Sequence, residues 1–342
     1  MASFLDRLRR GHLLSRAWGR AVREAQSAMT TATLSLTKPE VGHAAIVTLN
    51  ADEENATVQA VLLGADDRFD RIVLVTPDTE ISRVAVAMAA HRLGANIPGH
   101  LLYQRLNYRA LITAYRRSAE TYSTHVLLPG RDLSKWRRHV HLTHGSGPKP
   151  DTTFRAPTNV LASITPQWVP QQLAEYQLPQ DTEVVEYMPR LEVMRRSVGD
   201  VTVLQRLGVS LTAPLVVWAP TYRVVQRGGE TRVSGVPLGG ASARVPAGVQ
   251  QAVDRLRGTL VVKVHPHDAD SYSELEVTVF DGAALRALGV SAYELFGVAD
   301  LVITDYSSIF VEREYLGLDF QLVEPDRGDF AKSYRGLRAS ES

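Results

Sequence analysis

The sequence predicts an α/β protein with two doubly wound, Rossmann-like domains that face each other across a cleft, preceded by an amphipathic helix. The chain has 342 residues, enough for two domains with separate cores. Two successive series of short apolar runs alternate with helical segments, a pattern typical of parallel sheets covered by helices. We therefore predict a helix and linker over residues 1–37, a first domain over 38–180 and a second domain over 181–342.

The composition narrows the class of protein. Hydrophobic residues make up 44% and charged residues 22%, with a formal net charge of +1, so no overall positive field points to nucleic acid. The chain contains no cysteine, which excludes disulfides, thiolate zinc sites and cysteine nucleophiles. No stretch reaches the roughly 18 apolar residues of a membrane span, and the N-terminus lacks the apolar core of a secretory signal. A cytoplasmic protein is expected.

The first 26 residues form a basic amphipathic pattern. Apolar residues recur at spacings near three and four. The segment contains six arginines, Arg7, Arg9, Arg10, Arg16, Arg20 and Arg23, but only two acidic residues, Asp6 and Glu24. Such a helix binds in the plane of an anionic membrane surface. It is equally compatible with a helix docked on the protein or with a poorly ordered terminus. A polar linker is predicted over Thr30–Gly42.

The first α/β series follows this linker. Its buried strands are predicted at Ala44–Leu49, Arg71–Thr76, His100–Tyr103 and His125–Leu128. Its helices are predicted between them, at Asn55–Leu63, Ile81–Leu93 and Tyr108–Ser118.

The second series begins after a join near Leu178–Thr182. Its strands are predicted at Val184–Met188, Leu215–Ala219, Leu260–Val264, Val277–Phe280, Leu301–Thr304 and Phe320–Val323. Its helices are predicted at Val249–Leu256, Tyr293–Val298 and Ser308–Leu316. A long loop rich in glycine and arginine is predicted over Val224–Gly248, and such loops are uncommon unless they are functional.

Four segments carry chemistry. The first, His141–Lys149, holds glycines that permit close backbone approach to a ligand. The second, Trp218–Arg223, places a guanidinium suited to phosphate after a strand. The third, Lys263–Asp268, places Lys263 and His265 on one face of a strand end. In the fourth, Asp300–Ser308, Ser307 and Ser308 meet the free N–H groups at the start of a helix, where they cap it or bind phosphate.

Each segment also has a purely structural interpretation. A histidine at a strand end usually serves as a hydrogen-bonded structural residue, and paired serines before a helix usually serve as a cap. The histidine pairs at 141 and 144 and at 265 and 267 lack a carboxylate cluster, so no metal site is predicted. Glu312 lies one position beyond a capping-box partner of Ser308, which leaves its carboxylate available for ribose hydroxyls.

Taken together, the segments HGSGPK, APTYR, KVHP and ADLVITDYSSIFVE resemble the CDP-glycerol glycerophosphotransferases, the primases and polymerases of wall teichoic acid and their capsule-building relatives. The resemblance runs from about Val41 to about Gly336 and includes Met188-Pro189-Arg190. It implies the two-domain GT-B fold. Two departures stand out: Glu312 replaces the family's usual aspartate, and the chain stops at Ser342, where members continue with a further helical segment. The second domain is therefore expected to be shortened.

The resemblance also implies a reaction. An acceptor hydroxyl attacks the β-phosphorus of CDP-glycerol, CMP leaves, and a phosphodiester forms on a lipid-linked polyprenyl-diphosphate acceptor at the inner face of the cell membrane. His144 is expected to be the base. The pyrophosphate is expected to be bound by His265, Arg223, Ser307 and Ser308, helped by Lys263, Thr304 and Asp305, while Glu312 binds the ribose. The acceptor-side loop contains Gly145, Ser146, Gly147 and Lys149. No cofactor is expected.

Two other functions fit the same segments. A GT-B glycosyltransferase would hold a sugar nucleotide at the same serines. A non-catalytic relative would bind only polymer or membrane, which the expected shortening favours and the histidine on each side of the cleft disfavours. The sequence leaves open which polyol is transferred and whether one unit or many are added.

Overall fold

A computed structural model describes residues 37–125, 137–143, 158–221, 223–227, 230–234, 244–265, 272 and 275–324. For 223–227 and 230–234 only the backbone is described. The amphipathic helix predicted at the N-terminus lies outside these residues. None of the described helices is long and apolar enough to cross a lipid bilayer.

The first domain is built on a seven-stranded parallel sheet with the strand order β3-β2-β1-β4-β5-β6-β7. Its strands are β1 (Glu40–Val47), β2 (Arg71–Thr76), β3 (Leu101–Arg105), β4 (Ser118–Ser123), β5 (Arg138–His141), β6 (Val160–Ala162) and β7 (Glu183–Val185). Its helices are α1 (Glu54–Gly64), α2 (Thr79–Arg92), α3 (Tyr108–Arg117) and α4 (Val169–Glu175), with a 3-10 turn at Pro166–Trp168.

The central strand β1 explains why helices cover both faces of this sheet. Its successive apolar side chains point to opposite faces, so Ala44 and Ile46 pack in one core with α1 and α2. Ala45 and Val47 pack in a separate core with α3. A strand that is buried on both faces requires a helical layer on each side. The first domain is therefore doubly wound, as the alternating pattern predicts.

The second domain has a five-stranded parallel sheet with the strand order β12-β11-β8-β13-β14. Its strands are β8 (Leu215–Ala219), β11 (Thr259–Lys263), β12 (Thr278–Phe280), β13 (Leu301–Thr304) and β14 (Phe320–Leu322), and a separate hairpin comprises β9 (Arg223–Arg227) and β10 (Glu230–Ser234). The remaining helices are α5 (Leu191–Ser197), α6 (Val201–Leu207), α7 (Ala247–Leu256), α8 (Gly282–Ala287), α9 (Ala292–Val298) and α10 (Ile309–Tyr315). Buried cores lie on both faces of this sheet.

Helix α5 joins the two domains. Val193 packs in the core of the first domain, whereas Leu191 and Met194 pack in the core of the second. The two sheets are thus connected through a shared helix, and contacts between the domains surround it.

Several predicted elements need correction. The strand predicted at His125–Leu128 lies outside the described residues except for His125, which is not in a strand, and the chain pairs earlier, as β4, through a sequence with few apolar residues. The strand predicted at Val184–Met188 does not begin the second domain, because Val184 pairs with Leu161 at the edge of the first sheet. The long loop predicted over Val224–Gly248 contains the β9–β10 hairpin.

Candidate active site

The carboxyl ends of three adjacent strands in the second sheet bring together most of the predicted donor-side residues. Strands β11, β8 and β13 are parallel neighbours, so the segments that follow them lie at one edge of the sheet. This is the edge where open α/β sheets bind their ligands. The segments contain Lys263 and His265 after β11, Thr221 after β8, and the Asp-Tyr-Ser-Ser sequence after β13.

Thr304 and Asp305 tie two of these strand ends together. The buried hydroxyl of Thr304 donates to the carbonyl of Ala219 at 2.6 Å. One carboxylate oxygen of Asp305 accepts from the backbone N–H groups of Thr221 at 2.9 Å and Tyr306 at 2.7 Å. These bonds fix the loops after β8 and β13 relative to each other. Contact of Thr304 and Asp305 with a donor stays a prediction.

Ser307 and Ser308 lie between β13 and α10. Both are half-buried. The Ser307 hydroxyl accepts from the Ile309 N–H at 3.4 Å, and within the described residues no backbone N–H donates to the Ser308 hydroxyl as a cap. The capping role that competes with phosphate binding is therefore weakly developed at both serines.

Lys263 and His265 follow the neighbouring strand. Lys263 ends β11, and His265 lies two residues beyond it in a half-buried position. Burial lowers the pKa of Lys263, and the carboxylates of Asp281, Glu54 and Asp52 act against that shift. The ammonium group thus lies near acidic groups from both domains, and its contact with phosphate stays a prediction.

Glu312 is buried between the two domains. Its side chain is 0% exposed, and its Oε1 accepts from Nη2 of Arg190 at 2.5 Å. Its other oxygen, Oε2, has no hydrogen-bond partner within the described part of the chain. The carboxylate that the sequence assigned to ribose is therefore already engaged by an arginine, and its contact with ribose stays a prediction.

Arg190 is the centre of this buried cluster, and the sequence analysis gave it no function. It follows β7 in the connection between the sheets and is 4% exposed. Its guanidinium lies 3.6 Å from the Glu53 carboxylate and 4.7 Å from the ring centroid of Tyr293. Its backbone N–H donates to the Asn55 side chain at 3.2 Å. The recurrence of Met188-Pro189-Arg190 in the family resemblance was the only sequence signal for it.

A second ionic cluster lies beside the first. Glu294 in α9 forms an ion pair with Arg92, whose Nε lies 2.5 Å from Oε2, and accepts from Arg206 at 3.1 Å. It also forms a capping box with Ser291. Glu54, at the start of α1, lies 3.8 Å from Arg92. Burial raises the pKa of Glu54 to about 7, although Arg92 and a hydrogen bond with Ser291 act in the opposite direction. The start of α1 thus packs against α9 through titratable groups.

On the first-domain side, the structure describes the approach to the acceptor-side loop. His141 ends β5, is buried against Tyr176, and lies 3.3 Å from the Ser123 hydroxyl. Thr143 is buried with a φ of 55°, a left-handed conformation that is rare for a β-branched residue. The predicted site residues His144, Gly145, Ser146, Gly147 and Lys149 lie outside the described residues, and Arg223 is described only as backbone in β9.

No group of three or more His, Asp or Glu side chains in the described ranges is arranged to hold a metal ion. The side chains at the described sheet edge whose chemistry suits an anion are Lys263, His265, Ser307 and Ser308. Cations, hydroxyls and a histidine are the groups that bind diphosphates without covalent chemistry.

Comparison with known proteins supports the assignment of the second half of the chain. Residues 174–320 match the sequence family described as CDP-glycerol:poly(glycerophosphate) glycerophosphotransferase. A search of curated protein sequences gives no match.

Comparison with solved structures covers nearly the whole chain. The wall teichoic acid polymerase TagF matches with a TM-score of 0.61 at 14% identity, over 98% of this chain and 84% of that one. A variant of TagF soaked with CDPG matches with a TM-score of 0.61 at 14% identity, over 96% and 81% of the two chains. This likeness shows a shared GT-B fold. The family match over residues 174–320 makes this part of the chain similar to the CDP-glycerol glycerophosphotransferases, in agreement with the three sequence segments that lie within it, APTYR, KVHP and ADLVITDYSSIFVE.

Proposed function

We propose that this enzyme transfers glycerol phosphate, or a related polyol phosphate, from a CDP-linked donor to a lipid-linked polyprenyl-diphosphate acceptor in the synthesis of a teichoic-acid-like polymer. The observation that carries the proposal is the family match over residues 174–320, which spans the three converging strand ends of the second sheet. The CDPG-soaked TagF structure supports a CDP-linked donor, since that protein shares the fold of this chain.

The proposed reaction is a single displacement at phosphorus. The acceptor hydroxyl oxygen forms a bond to the β-phosphorus of CDP-glycerol while the bond from that phosphorus to the bridging oxygen breaks. CMP leaves with that oxygen, and the hydroxyl proton passes to His144. Lys263, His265, Arg223, Ser307 and Ser308 would offset the charge that develops on the leaving phosphate, as positive groups and donors do in phosphoryl transfer.

The direct test is to incubate the full chain with CDP-glycerol and a polyprenyl-diphosphate-linked acceptor, and to measure CMP release and product length. Acceptor-dependent CMP release with a lengthened product is expected. If UDP- or GDP-sugars, and not CDP-glycerol, raise the melting temperature and are consumed, the enzyme is a GT-B glycosyltransferase instead. If no nucleotide binds while the polymer does, the protein is a non-catalytic relative.

Donor binding is expected to depend on the serine pair after β13. Replacing both residues, Ser307→Ala with Ser308→Ala, removes two half-buried hydroxyls whose structural bonds are few. We expect the affinity for CDP-glycerol to fall by at least about tenfold, since each hydrogen bond to a charged group contributes about 1.5–3 kcal/mol net. Calorimetric titration measures this. Ser210→Ala with Thr212→Ala, at an exposed turn before β8, is the matched control. An unchanged affinity in the serine double variant excludes this placement of the phosphates.

We also propose that the arginine-rich segment at residues 1–26 holds the enzyme at the inner face of the cell membrane, where a lipid-linked acceptor resides. Deleting residues 1–28 is expected to abolish co-sedimentation with vesicles containing anionic phosphatidylglycerol. Binding of the full chain is expected to weaken as salt rises, because salt screens charges on the surface. Equal sedimentation of both forms contradicts the anchor. A lower melting temperature of the truncated form, without a change in sedimentation, indicates a helix docked on the protein.

A further inference from the structure

A chain of buried hydrogen bonds runs from the acceptor-side loop to the donor-side helix. The Asn55 side chain donates through Nδ2 to the carbonyl of Thr143 at 3.3 Å and accepts at Oδ1 from the N–H of Arg190 at 3.2 Å. Arg190 then donates to Glu312 in α10 at 2.5 Å. These residues come from four separate parts of the sequence, and all are buried. Thr143 of the first domain and α10 of the second are therefore linked by consecutive hydrogen bonds.

The Asn55 side chain bonds to Thr143, a residue whose backbone is in an unfavourable conformation. Thr143 has a φ of 55°, and a β-branched residue stays in that conformation only where its surroundings hold it. The Asn55 amide supplies one such contact, because it bonds to the Thr143 carbonyl, the peptide group that leads directly into His144.

The other end of the chain fixes the donor helix. Glu312 lies one turn into α10, the helix that begins directly after Ser307 and Ser308. Its bond to Arg190 ties this helix to the connection between the domains, and Arg190 is in turn held by Asn55. One asparagine thus contacts both the peptide beside the candidate base and the arginine that holds the donor helix.

From this geometry we infer that Asn55 is a positioning residue for the transfer reaction, because it holds both the Thr143 peptide, which directly precedes His144 in the sequence, and Arg190, which holds α10. The inference rests on the proposed function. Asparagine suits the role because its amide presents a donor and an acceptor at once, and it needs both here. Misplacement of a catalytic group by about 1 Å costs on the order of a hundredfold in rate.

Two substitutions separate the two bonds. Asn55→Asp keeps an acceptor for the Arg190 N–H and loses the donor to Thr143, so kcat is expected to fall about tenfold to a hundredfold with little change in KM for CDP-glycerol. Asn55→Ala loses both bonds without adding a charge, so kcat is expected to fall similarly while KM rises as well. Rates are expressed per folded protein, which is measured from the thermal transition.

Gln59→Ala is the matched control. Gln59 lies one turn later on the same face of α1, is buried, and bonds across to the Tyr187 hydroxyl at 2.7 Å without contacting Thr143 or Arg190. It is expected to lower the melting temperature while kcat and KM per folded protein stay native. If Asn55→Asp and Asn55→Ala also retain a native kcat per folded protein, or if Gln59→Ala lowers kcat as much as they do, Asn55 is only a structural residue.

Hydrogen exchange distinguishes this inference from the proposed function. In ligand-free protein, amide exchange over residues 137–145 is expected to speed up in Asn55→Asp and to stay native in Gln59→Ala, whatever reaction the enzyme performs. If the native chain releases no CMP but this exchange difference is present, the proposed function fails while the anchoring of the loop stands. If native turnover is present but exchange and kcat are unchanged in Asn55→Asp, the positioning role is overturned and the proposed function stands.

Discussion

His144→Ala is expected to abolish CMP release while leaving the affinity for CDP-glycerol near its native value. The sequence places His144 in the acceptor-side loop of the first domain, whereas the proposed donor groups follow strands of the second. Loss of a positioned proton acceptor typically lowers a rate by about 10²–10⁴-fold. Steady-state CMP release and calorimetric binding of CDP-glycerol, measured on the same preparation, give the two quantities.

His265→Ala is the comparison variant, because it separates loss of donor binding from loss of proton transfer. His265 follows β11 at the donor edge, so its loss is expected to lower turnover and to weaken the binding of CDP-glycerol and CMP together. If both histidines are structural, both variants lose thermal stability, and activity falls in proportion to the unfolded fraction. Native melting with no CMP release in His144→Ala supports a catalytic role.

A His144→Ala enzyme that still transfers at the native rate removes the proposed base. Asp305 and Glu312 are the other carboxylates in the predicted site, and they are 4% and 0% exposed. Both already accept hydrogen bonds from protein groups. Because both are buried, either one would have to become accessible to the acceptor hydroxyl before it could serve as the base.

The apolar strands of the second sheet are the part of the fold that sequence patterns predict well. Strands β8, β11 and β13 lie at the centre of the sheet, and their buried faces require continuous apolar runs. The predicted positions of these three strands agree with the structure within one residue at each end. Because the ends of these strands are predicted correctly, the sequence also predicts which segments meet at the carboxyl edge of the sheet.

The polar strands of the first sheet were missed for a physical reason. Strand β5 contains His139 and His141, which are buried by contacts that no local pattern encodes. His139 stacks on Tyr115 at 5.4 Å, and burial lowers its pKa to about 3. Strand β4 likewise contains Thr121 and Ser123 in place of an apolar run. Tertiary burial overrides local polarity in both strands.

The buried ion pairs could not be predicted from the sequence. Arg190 and Glu312 are 122 positions apart, and their pairing depends on how the two domains pack. The spacing indicates that Glu312 is not a capping-box partner of Ser308, and the structure has Ser308 as the N-cap of α10 without a side-chain capping bond. The sequence assigned the free carboxylate to a ligand because a protein partner at such a separation cannot be inferred from spacing.

The free energy of unfolding is expected to fall as pH rises from about 4.5 to about 7, because of the Glu54 carboxyl group at the contact between the domains. Burial raises the pKa of Glu54 in the folded protein to about 7, from 4.5 in the unfolded chain. The folded state therefore holds this proton over a range in which the unfolded state has lost it. Linkage then requires the free energy of unfolding to decrease with pH across that window, and the decrease is complete above about pH 7.

Glu54→Gln is the variant that tests this, because glutamine keeps the shape of the protonated acid and cannot ionise. The difference between 4.5 and about 7 corresponds to about 3 kcal/mol, so the variant is expected to be more stable than the native chain by up to that amount at pH 8. At pH 4.5 the two are expected to unfold alike. Urea unfolding at several pH values measures both.

Glu314→Gln, which removes a carboxylate at an exposed position in α10, is the matched control. The groups that face Glu54 decide the sign of the Glu54→Gln result. Arg92 and Arg190 favour its ionised form, whereas burial and the nearby carboxylate of Glu294 oppose it. If Glu54→Gln is instead less stable than the native chain at pH 8, the ion pair with Arg92, 3.8 Å away, outweighs burial, and Glu54 is charged in the folded protein.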